Sequence, residues 1–137
     1  MSTVKRGEIG QWNSNQTLIC VPCGAASLVN KEGFFVKMAG GLCVICDAQG
    51  ELPFGILVKG GVSGENVTVC VMGRCLAVAD EIAAVGALVM VSATGKFEAV
   101  INGKYLAGQV LGAASADGDI VWINYIGVPV NFTTHFA

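Results

Sequence analysis

The sequence predicts an all-β fold, a small barrel or sandwich with one short helix and an extended N-terminal arm. Three observations support this prediction. The apolar residues form short runs of strand length, 19 glycines against three prolines separate these runs, and one strand–turn–strand pattern occurs twice. β-Branched and aromatic residues favour strands, and glycine favours the turns between them. At 137 residues the chain has the size of one domain.

The N-terminal residues 1–16 are polar and show no apolar periodicity, so they are predicted to form an extended arm. A single β domain is predicted over 17–130, and a C-terminal tail over 131–137. The arm has one large aromatic side chain, Trp12, which either folds back onto the domain or anchors a neighbouring subunit. The candidate partner-binding residues are Val4, Lys5, Arg6, Ile9 and Trp12.

Nine apolar runs follow the arm, and each is predicted to form a strand. They are rich in Val, Ile and aromatic residues and are bounded by turn-forming residues. The runs are Leu18–Val21, Phe34–Val36, Leu42–Cys46, Phe54–Val58, Val67–Met72, Leu88–Val91, Phe97–Ile101, Leu106–Leu111 and Ile120–Ile126.

Two predicted turns, at 47–50 and 92–95, begin with Asp or Ser and end in Gly. This is typical of type I turns, so both are predicted to join hairpins. The segment 80–86 differs, because it has an Asp at its start, an acidic first turn, helix-forming residues and a final glycine. It predicts a helix of barely two turns between strands.

The internal repeat joins two units of strand, small-residue loop and strand, at 54–71 and 107–123. Gly64-Glu65 in the first unit matches Gly118-Asp119 in the second. The spacing of roughly 53 residues predicts two similar strand pairs in a pseudo-symmetric barrel or sandwich. Chance similarity between segments rich in Gly, Ala and Val is the alternative.

The composition points to a protein that works in contact with others. Hydrophobic residues make up 53% of the chain and charged residues 13%, against a usual charged share of about 25%. A surface with few charges offers little protection against association, so we expect self-association or packing against a partner.

The same totals argue against several classes of partner and location. The formal net charge of −2 is unlike the basic surface of a nucleic-acid-binding protein. Apolar runs fall short of the roughly 18 residues of a membrane span. The first residues lack the apolar core of a secretory signal. We therefore expect assembly in a cytoplasm, where six cysteines stay reduced.

Two Cys-x-x-Cys pairs have the spacing of a four-cysteine zinc site. A chelating pair needs a turn between its cysteines, whereas the β-branched residues Val44 and Ile45 favour a strand. The preferred interpretation is that these cysteines are small buried apolar side chains, with no metal and no cofactor. A zinc-containing β binding module in another complex is the alternative, with the ligands Cys20, Cys23, Cys43 and Cys46.

Catalysis has little support in the sequence. The one histidine, His135, lies two residues from the C-terminus, which leaves no clear general base. Asp80 with Glu81 is typical of a helix start, and Asp117 with Asp119 is typical of a turn. We therefore expect no enzymatic activity.

A longer pattern runs through much of the chain. It consists of a Phe-Gly-Ile phrase, an alternating strand, a short Ala-rich segment, a strand before Ser-Ala-Thr-Gly, and a small-residue loop with Gly-Asp before a last strand. These elements are Phe54–Ile56, Val67–Gly73, Asp80–Gly86, Ala87–Gly95, Leu106–Leu111, Ala113–Asp119 and Ile120–Ile123. In this order, from about Phe34 to Val128, the chain resembles the small capsid cement, or decoration, proteins of tailed phages. The N-terminal third, which contains the cysteine pairs, departs from that pattern.

The resemblance implies a barrel or tulip-like β domain on the outside of the capsid. It implies binding to the major capsid protein and to other copies, as a homotrimer, in order to stabilise the shell against internal pressure. It implies no cofactor and no catalytic residue. The expected location is the exterior of the virion after assembly in the host cytoplasm, without nucleic-acid or membrane contact.

Overall fold

The fold was taken from a computed structural model, which describes residues 16–126 and 129–132. The predicted arm residues up to Asn15 lie outside these ranges. The described chain forms nine strands: β1 (Gln16–Pro22), β2 (Phe35–Ala39), β3 (Leu42–Ile45), β4 (Gly55–Lys59), β5 (Asn66–Val78), β6 (Leu88–Val91), β7 (Phe97–Ala99), β8 (Gly108–Val110) and β9 (Ile120–Tyr125). Each of the nine predicted runs contains all or part of one strand. No stretch of helix that could cross a membrane occurs in these ranges.

The strands form one antiparallel sheet that curls into a half-barrel. The order is β3-β2-β4-β5-β9-β8-β6-β7, and β1 pairs with the first part of β5. The all-β prediction is therefore confirmed, while the architecture is a single curled sheet. Because β5 is 13 residues long, it pairs with β1 and β4 along its first part and with β9 along its last part.

The internal repeat is confirmed by the sheet. The first four strands in the order mirror the last four, so that β2, β3, β4 and β5 correspond to β6, β7, β8 and β9. Backbone hydrogen bonds repeat as well. The amide of Cys23 donates to the carbonyl of Glu65, and the amide of Ala79 donates to the carbonyl of Asp119, both at 2.8 Å. The two halves are thus the same supersecondary unit, joined through the continuous strand β5.

The two halves share a packing requirement at the first residue of β4 and of β8. A Cβ atom at Gly55 would contact the Val69 side chain and lie 2.5 Å from the carbonyl oxygen of Cys70. At Gly108, a Cβ atom would contact the carbonyl oxygen of Asn124. Only glycine lets the neighbouring strand approach this closely, which explains why the repeat keeps a glycine at both positions.

The apolar side chains form two clusters. The larger contains Phe35 and Phe97, and the smaller contains Leu57 and Val69. Val69 and the next residue, Cys70, are both fully buried but belong to different clusters. Since successive strand residues point to opposite faces, the first part of β5 separates the two cores.

The predicted helix at 80–86 is wrong. This segment is extended at its centre, because Ala83 and Ala114 exchange two backbone hydrogen bonds of 3.0 and 2.8 Å. The amide of Asp80 donates to the carbonyl of Phe97 at the start of the segment. A helix of two turns is unstable alone, so these bonds to neighbouring segments outweigh the local helix preference.

Of the two predicted hairpins, one is confirmed and one is wrong. The turn at 92–95 joins the antiparallel pair β6 and β7. The turn at 47–50 follows β3, but the next strand, β4, pairs with β2 and β5 instead. The amide of Gly50 donates to Val91 of the other half, and the amide of Phe54 donates to Val36. These bonds hold the segment after β3 in a path that leads to the other edge of β2, where β4 pairs.

Cys70 and Cys75 form a disulfide within β5, whereas the sequence predicted reduced thiols. Residues five apart on a regular strand point to opposite faces. The pairing register with β1 skips Val71, since Thr17 lies opposite Met72 and Leu18 opposite Cys70. This bulge places both cysteines on the same side of the strand.

Candidate interaction surface

An apolar groove of about 170 Å³ opens where β4, β5 and β9 approach one another. Its apolar walls include Val58 of β4, Leu76 of β5, and Ile120 and Trp122 of β9. We call this feature the Trp122 groove. Leu57 belongs to the smaller core and also lines the groove, so the groove is the place where that core reaches the surface.

The strand register explains how these side chains come together. Leu76 lies opposite Trp122 in the β5–β9 ladder. Within β9, Ile123 and Tyr125 face the larger core, so the alternating residues Ile120 and Trp122 face the other way. They remain 58% and 39% exposed. A half-exposed pair of this size on a described strand is a surface suited to contact.

Polar groups fix the rim of the groove. The guanidinium of Arg74 lies over the Trp122 ring, with its central carbon 4.8 Å from the ring centre. The side-chain amide of Gln16 donates to the carbonyl of Arg74 at 2.9 Å. On the opposite rim, the Glu32 carboxylate accepts a 2.9 Å hydrogen bond from the amide of Gly60. Among the described lining residues, Glu32 is the ionisable one.

A second apolar surface lies on the segment 80–86, which we call the Ile82 loop. Ile82 is 74% exposed and Val85 is 65% exposed. The Ala83–Ala114 backbone pair holds the middle of the loop, and the Glu81 carboxylate accepts a 3.0 Å hydrogen bond from the amide of Ala99. Two branched apolar side chains are thus presented to solvent on a loop that is tied to the sheet.

Charged side chains pair at the turns. Lys37 contacts Asp47 at 2.7 Å and Glu51 at 3.0 Å. The hydrogen bond from Lys37 holds the pKa of Asp47 below its usual range. Lys96 contacts Asp117 at 3.0 Å.

The carboxylates considered for catalysis have structural hydrogen bonds. Asp119 accepts bonds from the amide and hydroxyl of Ser115 and from the amide of Ala116, at 2.8, 2.9 and 3.2 Å. Asp80 accepts a 3.3 Å bond from the Thr94 hydroxyl. The bonds to Asp119 organise a turn, as the sequence predicted for it, whereas the helix start predicted for Asp80 and Glu81 is wrong. His135 lies outside the described residues.

The four cysteines of the zinc alternative do not meet. Cys23 and Cys43 lie together in the smaller core, Cys46 packs in the larger core, and Cys20 is exposed on β1. Burial, with the neighbouring Cys23, raises the pKa of the Cys43 thiol to about 11. In the described part of the chain, no three His, Cys, Asp or Glu side chains are grouped to hold a metal ion. The geometry gives the zinc site no support.

Sequence reasoning placed its site in the arm, and Val4, Lys5, Arg6, Ile9 and Trp12 all lie outside the described residues. It missed the Trp122 groove and the Ile82 loop. A signal for the groove was present in β9, where apolar residues occupy both alternating positions at 120–123. A strand with two apolar faces predicts that other residues pack against both faces. The Ile82 loop was hidden by the helix prediction.

Comparison with known proteins gives a fold and no family. No protein-family model matches the chain, and no curated protein matches it. Among solved structures, the fold is similar to the N base of head fiber gp8.5 in bacteriophage phi29. The TM-score is 0.63, and the alignment covers 85% of this chain and 100% of that chain. The two sequences are 12% identical, so this likeness concerns the fold.

Proposed function

We propose that this chain is a decoration protein of a tailed-phage head, which binds the exterior of the major capsid shell and stabilises it against internal pressure. The observation that supports this most is the fold, which is similar over the whole of a phage head fiber base. The order of sequence elements that resembles cement proteins is an independent argument for the same class.

In this proposal, the exposed apolar surface is the surface that binds the shell. The Ile82 loop is the described feature best suited to contact the shell, because its two apolar side chains are exposed while its backbone is fixed. A loop that is already ordered loses little conformational entropy on binding. The protein forms homotrimers, and three copies of a weak contact act together, so modest affinity per contact suffices.

The test is co-sedimentation of the purified protein with expanded, DNA-free phage heads. We expect saturable binding by the parent chain and a loss of at least roughly tenfold in affinity for the double variant Ile82→Ser/Val85→Ser, which corresponds to about 1.4 kcal/mol. Ile101→Ser is the matched control, since Ile101 is 46% exposed elsewhere, and it should bind like the parent.

Light scattering on the same samples measures the oligomeric state, for which we expect a trimer. A protein that stays monomeric and does not sediment with heads would contradict the proposal. If the Ile82→Ser/Val85→Ser variant binds heads as tightly as the parent chain, the protein is still a head-binding protein, but the Ile82 loop is not its contact surface.

A further inference from the structure

The fold itself does not require apolar residues in the Trp122 groove, as the internal repeat shows. Asp119 and Glu65 occupy equivalent positions, because each accepts the matching backbone bond in its own half. The residues that follow them, Ile120 after Asp119 and Asn66 after Glu65, are therefore equivalent as well. Two residues further on, the equivalent of Trp122 is Thr68. One half accepts polar residues where the other exposes isoleucine and tryptophan, so the groove's apolar character serves another purpose.

The path of the chain brings a specific segment to the groove. Gln16 lines the groove and begins β1, where it lies opposite Gly73. Gly73 also lies opposite Tyr125 of β9. A strand residue has one partner on each of its edges, so β1 and β9 flank β5 on opposite edges at Gly73. Because Gln16 is the first described residue and lines the groove, the N-terminal segment is attached to the domain at the groove.

Trp12 matches the groove in size and chemistry. It is four residues from Gln16, a reach of at most roughly 14 Å for an extended chain. A cavity of roughly 150 Å³ accommodates an aromatic ring such as benzene, and the groove measures about 170 Å³. A buried indole also needs an acceptor for its N–H group. The Glu32 carboxylate on the rim supplies one.

We propose that the Trp122 groove binds the N-terminal segment of the same chain, with the indole of Trp12 seated between Leu76, Ile120 and Val58. The short connection through Gln16 favours this occupant, because a tethered group binds at a high effective concentration. The segment then covers the exposed extension of the smaller core. This inference concerns the isolated protein and stands independently of the shell-binding proposal.

The experiment is ¹⁹F NMR of the full chain labelled with 5-fluorotryptophan. The sequence has two tryptophans, so Trp12→Phe assigns both signals. A soluble paramagnetic agent reports the exposure of each ring. If the docked state holds about 90% or more of the molecules, the relaxation enhancement at Trp12 falls roughly tenfold below that of a free tryptophan. A nuclear Overhauser effect from Trp12 to the Leu76 or Val58 methyl groups is expected as well.

Two variants make the result specific to the groove. Leu76→Arg fills the groove with charge and should restore full exposure of Trp12. Leu42→Arg is the control, since Leu42 on β3 is 41% exposed and Leu76 is 43% exposed; it should leave Trp12 protected. If Leu76→Arg fails to fold, Ile120→Lys serves in its place, and the nuclear Overhauser effect is measured on the parent chain without any change in the groove.

Two outcomes overturn the proposal. One is a Trp12 signal in the parent chain as exposed as in Leu76→Arg. The other is protection that disappears on dilution, which would show that the segment binds the groove of a second copy. Neither outcome bears on binding to phage heads, and loss of head binding leaves the ¹⁹F result unchanged.

Discussion

The guanidinium carbon of Arg74 lies 4.8 Å from the centre of the Trp122 ring. The two residues belong to adjacent strands, with Arg74 opposite Asn124 and Leu76 opposite Trp122. The Arg74 backbone is in turn held by the side chain of Gln16. The Trp122 wall of the groove is thus held by the Arg74 guanidinium over the ring, and Arg74 is held in turn by Gln16, the first residue of β1.

The cation–π contact predicts a graded response to substitution. Arg74→Ala should lower the free energy of unfolding by about 0.5–1 kcal/mol, the usual contribution of an exposed pair. Arg74→Lys keeps a cation near the ring and should lose less. Urea denaturation measures both. Equal losses for Ala and Lys would show that the positive charge contributes nothing.

The close approach of strands at Gly55 predicts a difference between two glycines. Gly55→Ala should cost about 1–3 kcal/mol, because the methyl group would meet the Val69 side chain and the Cys70 carbonyl. Gly108→Ala should behave in the same way. At Gly112 an added Cβ atom would lie 3.9 Å from the Cβ atom of Val121, an ordinary contact, so Gly112→Ala should be neutral or slightly stabilising. Thermal unfolding of the three variants checks this order.

The sequence predicted the strands well where an apolar run marks them, but β5 continues through residues 74–78, beyond the run Val67–Met72, and this part was missed. The repeat was also predictable, since the same glycine and Gly-acid positions return in both halves. Segment 80–86 was not, because its hydrogen bonds with Ala114 and with the carbonyl of Phe97 decide its shape, and both residues lie more than ten positions away in the sequence. The hairpin at 47–50 was wrong for the same reason, since Val91 holds Gly50.

The groove could be predicted only in part. The two apolar faces of β9 were visible in the sequence, but the partners of Trp122 come from β4 and β5, more than 40 residues away in the chain. Their meeting depends on the strand order, which a single sequence does not determine. The disulfide depends on the bulge at Val71, which likewise appears only in the register with β1.

The environments of the four free cysteines predict their order of alkylation. Cys20 is exposed, whereas Cys23, Cys43 and Cys46 are buried. Burial raises the pKa of Cys43 to about 11, so little of its reactive thiolate exists at pH 8. Iodoacetamide at pH 8 should modify Cys20 first, as peptide mass spectrometry would show. Protection of Cys20 that a chelator abolishes would instead support the zinc alternative.

The turn around Asp119 predicts a pH dependence. Hydrogen bonds from the Ser115 amide and hydroxyl hold the pKa of Asp119 below its usual range. A carboxyl group with a lowered folded-state pKa stabilises the fold fully above its unfolded pKa of about 3.9, and this contribution is lost as the pH falls through the folded value.

Ser115→Ala should therefore raise the pKa of Asp119 and lower the thermal midpoint at pH 7. The difference in midpoint from the parent should shrink as the pH falls below about 4. Carboxyl ¹³C NMR titration and calorimetry measure the two effects. An Asp119 pKa that does not rise in Ser115→Ala would show that the Ser115 hydroxyl is not its partner.

The central claim is that this chain is a component of the phage head surface. Quantitative mass spectrometry of purified virions, combined with cryo-electron microscopy of the same particles, tests it most directly. The account predicts a fixed ratio of this chain to the major capsid protein and density for its curled sheet on the outside of the shell. Virions that lack the chain, or that hold it only inside the shell, would contradict the account.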